Sequence, residues 1–103
     1  MIRAQYVADL RELAADLGTA ADGSVWYLFG SVDRDVFDAA DVDVLILCSS
    51  VEQADLLRAE IDADALGRPL DLSLMTFAEE SETNTVVRQG ARQIYPDPGD
   101  SGS

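Results

Sequence analysis

An α/β (α+β) domain, a small mixed sheet flanked by helices, is the fold this sequence predicts. Segments of helical period alternate with short β-branched runs in the order αβ, β, αβ, αβ. The segment Asp41–Cys48 becomes apolar on both faces in its second half, as a central strand does. The 103 residues, 48% of them hydrophobic, supply one core and are too few for a catalytic domain plus a separate acceptor-binding domain. A single domain is expected over residues 1–95, with a disordered tail over 96–103.

Each element has a local cause. Ile2, Tyr6, Leu10, Leu13 and Leu17 recur at helical spacing, which predicts an amphipathic helix over 2–17 stopped by Gly18. Thr19 to Ser24 is small and polar, a loop. Val25-Trp26-Tyr27-Leu28-Phe29 reads as a strand ending at Gly30-Ser31, with its aromatics in the core. Val32 to Ala40 is polar and acidic, one helical turn at most and then a loop. After the strand Asp41–Cys48, Ser50 and Gln53 form a capping-box signature opening a helix over 51–65, with Val51, Ala54, Leu57 and Ile61 on its inner face. Gly67 and Pro69 punctuate its end. Leu70 to Met75 alternates as a half-buried strand. Thr76 and Glu79 make a second capping box, for a helix running to Gln89 and stopped by Gly90. Ala91 to Tyr95 is the last strand, with Tyr95 a packing residue.

Charge narrows the function. Twenty acidic groups face seven scattered arginines, without lysine or histidine, for a net charge of −13 and a pI of about 4.1. That excludes a long nucleic-acid partner, whose phosphates need clustered cations. A small nucleotide is compatible if a metal ion neutralises both sides, and a basic protein partner is compatible outright. No apolar run of about 18 residues spans a membrane, and residues 1–5 are not the start of a signal peptide. The lone Cys48, read as a small buried hydrophobe, fits a reducing cytoplasm. Without histidine, catalysis would run on carboxylates, hydroxyls, arginine or metal.

Three features bear chemistry. Asp41 and Asp43, at i and i+2 of a strand, project to one face about 6.6 Å apart at Cα, while Val42, Val44 and Ile46 face the core. Leu45 and Leu47 share the Asp face further along, where a helix could cover them. Close carboxylates repel, and a hard cation such as Mg²⁺ relieves that repulsion; alternatively they mark a solvated strand end. Asp71 shares a face with Ser73, opposite Leu70, Leu72 and Leu74. If its strand lies beside the Asp41 strand, three carboxylates could hold two Mg²⁺ about 3.5–4 Å apart; otherwise Asp71 is an ordinary outward polar residue. Gly30-Ser31 is either a phosphate cradle or a plain strand-ending turn. Arg88 and Arg92 are solvated surface by default, with a nucleotide or partner contact as the alternative.

Together, Leu28-Phe29-Gly30-Ser31, nine residues, then Asp41-Val42-Asp43-Val44 resembles the signature of the polymerase β-like nucleotidyltransferase superfamily, and the small size resembles its minimal, MNT-type antitoxins. The resemblance covers most of residues 2–95. It implies the polymerase β-like fold, with Asp41, Asp43 and Asp71 as catalytic residues and ligands of two Mg²⁺ ions. Gly30, Ser31 and the retained Arg34 would bind the phosphates of ATP or another nucleoside triphosphate. It implies transfer of a nucleoside monophosphate, AMP from ATP, to a hydroxyl of a partner protein. The implied partner is a helical HEPN-type toxin, in a homo- or hetero-oligomer.

One departure matters. Where many minimal members read Gly-Ser-x-x-Arg-Gly, this chain reads Gly30-Ser31-Val32-Asp33-Arg34-Asp35. At ~4–8 Å the Asp35 charge, joined by Asp33 and Asp38, costs nucleotide affinity on the order of 1 kcal/mol or more. Hence the alternative reading, a catalytically inactive binding module on the same fold that neutralises or assembles with a partner protein. A third reading makes the aspartates surface decoration on an unrelated α/β domain.

Overall fold

The computed structural model describes residues 2–30, 42–62 and 70–96. The expected loop over Val32–Ala40, the residues Ser31, Arg34 and Asp41, the helix end at 63–65 and the tail beyond Pro96 lie outside the described residues.

The chain runs α1 (Ile2–Asp16), a 3-10 turn (Gly18–Ala21), β1 (Val25–Phe29), β2 (Val42–Cys48), α2 (Val51–Glu60), β3 (Leu70–Thr76), α3 (Phe77–Thr83), α4 (Thr85–Gln89) and β4 (Arg92–Tyr95). The four strands form one mixed sheet in the order β3-β2-β1-β4. β1 is antiparallel to both β2 and β4, whereas β2 and β3 are parallel, joined through α2. This is the mixed sheet with helices that the pattern of elements predicts, and β2 is central as its apolar second half requires.

The two faces differ. Trp26, Leu28, Val42, Val44, Ile46, Cys48, Leu70 and Ile94 cluster with Tyr6, Val7, Leu10 and Ala14 of α1 and Leu57 and Ile61 of α2. Leu45 and Leu47 point the other way, where α3 lies against β2 and β3, and they too are buried. The helix expected over these two leucines is therefore α3. Asp43 is the one residue of β2 that is not buried.

Four sequence expectations need correction. The loop expected over 19–24 begins as a 3-10 turn, with Ser24 Oγ donating to Ala21 O and accepting from Trp26 Nε1. The helix expected over 51–65 stops at Glu60, because Ile61 takes an extended conformation and turns its side chain into the core. Its inner face is Ala54 and Leu57, with Ile61 packing into the core just beyond its end; Val51, in the first turn, is 61% exposed. The helix expected to reach Gln89 without interruption breaks at Asn84, which sits in the left-handed region at φ 53° and caps α3 at its C-terminus.

The capping boxes also differ. At Thr76 both reciprocal bonds form, to and from Glu79. At Ser50 only the hydroxyl accepts from Gln53 N, while Gln53 Oε1 accepts from Ser49 N instead. Its Nε2 donates to Ala20 O and Asp22 O, so Gln53 ties α2 to the 3-10 turn. Gly90, at φ 64°, ends α4 as expected.

Candidate functional site

The site is built where β1 ends and β2 and β3 begin. In the parallel ladder Asp43 is the register partner of Asp71, so both carboxylates leave adjacent strands on the same face, with backbones about 4.8 Å apart. In the antiparallel ladder Asp43 faces Phe29, the last residue of β1. One row across the sheet thus reads Asp71, Asp43, Phe29, and Gly30 follows immediately. Asp43 is half-buried and Asp71 exposed.

Gly30 is glycine for two reasons. Its φ is 75°, a region where a side chain is strained, and a Cβ placed there would collide with the Asp43 carboxylate, lying 3.0 Å from its Cγ. The Asp43 side chain therefore bends over the Gly30 backbone, which brings the strand-ending glycine and this carboxylate together.

Of the sequence-predicted site residues, the structure brings together Gly30, Asp43 and Asp71; Ser31, Arg34 and Asp41 lie outside the described residues. Among the described residues no three acidic, histidine or cysteine side chains come close enough to hold a metal ion, so the described part of the site is two carboxylates. Two hard oxygen donors on one face fit the ligand preference of Mg²⁺, which takes one or two carboxylates and completes its shell with water and phosphate.

Three neighbours were not legible as such. Trp26 is in the core, as expected, but Tyr27 and Phe29 are half-buried on the Asp43 face rather than in the core. The signal was available, since alternate strand residues point to opposite faces and Trp26 claims the inner one. Glu80 of α3 also approaches this face. The Tyr27 hydroxyl has its pKa raised above 10.0, first by burial and then by the nearby Glu80 carboxylate. Glu80 in turn accepts from Val86 N at 3.3 Å, which ties α4 to α3.

The remaining expectations resolve by topology. Arg92 is paired with Leu28, so it leaves the sheet on the α1 face, away from Asp43, and is exposed. Arg88 is exposed in the last turn of α4 and donates to Thr83 O. Tyr95 packs edge-on against Trp26, with ring centroids 6.3 Å apart. Cys48 is buried, and burial pushes its thiol pKa up to about 11. No described helix is long and apolar enough to cross a membrane. The chain matches no protein-family model, no curated protein and no solved structure.

Proposed function

We propose that this chain is a Mg²⁺-dependent nucleotidyltransferase with the polymerase β-like fold. It transfers a nucleoside monophosphate, AMP from ATP, to a hydroxyl of a partner protein in the cytoplasm. In this reading it is the antitoxin of an MNT/HEPN-type pair. The observation that carries the reading is the row Asp71–Asp43 with Gly30 closed against it.

Asp41, Asp43 and Asp71 hold two Mg²⁺, and Gly30, Ser31 and Arg34 hold the triphosphate. Bound metal supplies the positive charge that lets phosphate approach carboxylates. The acceptor oxygen bonds to the α-phosphorus, the bond to pyrophosphate breaks, and the hydroxyl proton passes to Asp71. As the exposed member of the pair, Asp71 is the one an incoming protein can reach. The inactive-module reading draws its support from Asp35, which stands where a glycine is usual in the resembling family.

The test adds α-labelled ATP and Mg²⁺ to the protein together with a helical HEPN-type protein. Wild type labels the partner and Asp43→Asn does not; equal behaviour ends the enzymatic reading. Partner binding without labelling in wild type selects the inactive module. In parallel, Mg²⁺ raises the melting temperature of wild type but not of Asp43→Asn, since binding to the native state alone stabilises it. No Mg²⁺ effect in either protein leaves the aspartates as surface decoration.

A further inference from the structure

We infer that the outer edge of β3 is a docking edge for an extended, cationic segment of a partner protein, which adds to the sheet as a fifth strand. The two edges of the sheet are unequal. β4 has four residues, its Ile94 carbonyl already accepts from Arg11 Nε at 2.7 Å, and Pro96, which has no N–H, follows it. β3 has seven residues, contains no proline, lysine or arginine, and pairs with no described strand on its outer side. Proteins normally blunt such an edge with those residues.

Burial along β3 points the same way. Every side chain from Leu72 to Thr76 is half-buried, on both faces of the sheet, whereas six of the seven β2 residues are fully buried between their two neighbours. A strand laid along β3 would complete the burial of Leu72 and Leu74 on one face and Met75 on the other. Its backbone would supply the main-chain bonds of strand addition.

Charge selects the occupant. The contiguous stretch 70–83, which forms β3 and α3, carries Asp71, Glu79, Glu80 and Glu82 and no basic residue, in a chain of net charge −13. A second copy would bring the same negative stretch to the edge. An extended segment with arginine or lysine on alternate positions is attracted to it and fits the two-residue period of the strand.

The experiment uses the full chain and the end-capped peptide Arg-Val-Arg-Val-Arg-Val-Arg, with Glu-Val-Glu-Val-Glu-Val-Glu as its counterpart. The arginine peptide binds about tenfold or more tighter than the glutamate peptide, and its affinity falls as salt rises from about 0.05 to about 0.5 M. On binding, it slows hydrogen exchange of amides within 70–76. Ser73→Lys, an edge charge of the same sign as the peptide, weakens binding about fivefold or more. Absence of protection at 70–76, equal binding of both peptides, or unchanged binding by a folded Ser73→Lys protein overturns the proposal. Concentration-dependent protection of 70–76 without peptide also overturns it, by assigning the edge to a second copy. If Ser73→Lys fails to fold, the exchange pattern of the wild-type protein decides alone.

Discussion

At Gly30 one missing carbon atom makes room for the Asp43 carboxylate. Gly18 has a similar backbone, φ 59° against 75°, but a Cβ there would meet nothing within 4 Å. Alanine at either position carries the left-handed penalty of about 1–2 kcal/mol. Only Gly30→Ala adds the collision with Asp43. Urea unfolding should therefore show Gly30→Ala as clearly the more destabilised, by about 1–3 kcal/mol beyond Gly18→Ala. The same variant should lose part of its Mg²⁺-dependent stabilisation, because the displaced carboxylate is a ligand in the proposed site. Equal costs at the two glycines would mean that the Asp43 carboxylate swings clear of the added Cβ at no cost.

The elements were legible wherever a short-range pattern decides them. The leucine spacing of α1, the β-branched run of β1 and the capping box at Thr76 are local, and each lies within a residue or so of its expected place. Strand order is not local. Whether Asp71 stands beside Asp43 depends on α2 returning the chain parallel to β2, which no window of sequence contains, so Asp71 entered as a conditional partner. The register of Tyr27 and Phe29 was within reach, but their apolar character argued for the core and outweighed the alternation. The break at Asn84 was missed for a different reason. Neither glycine nor proline marks it, and Asn reaches the left-handed region only because its short polar side chain lowers the cost. Neither α3 nor α4 has a buried residue, so caps and side-chain bonds, including Thr83 Oγ1 to Thr85 Oγ1 at 2.6 Å, hold the break in place. Asn84→Gly should accordingly be neutral within about 0.5 kcal/mol, and Asn84→Ala should cost about 1 kcal/mol in urea unfolding. A stabilising alanine would show instead that the helix prefers to run unbroken to Gln89, as the sequence pattern alone predicts.

The charge of the molecule gives its alkaline behaviour an unusual simplicity. The chain has no lysine, and the two side chains whose pKa the fold raises in the alkaline range are Cys48 and Tyr27. Burial raises the Cys48 pKa from 9.0 to about 11, so the folded state holds its thiol proton more tightly than the unfolded chain does. That preference contributes its full stabilisation below pH 9 and is lost as pH rises towards 11. Tyr27, also raised, acts in the same direction above pH 10. Each proton released adds to an already large negative charge, and self-repulsion favours expansion of the chain. The melting temperature should hence fall between pH 9 and 11 with no compensating loss of lysine charge. Cys48→Ala should start lower at pH 7, from the lost core contact, yet decline less steeply across that interval. The residual slope belongs to Tyr27, and Tyr27→Phe on the alanine background should flatten it above pH 10. A Cys48→Ala protein that follows the wild-type slope throughout would show that the thiol ionises no later in the folded chain than in the unfolded one, and that the core around β2 admits more water than its packing implies.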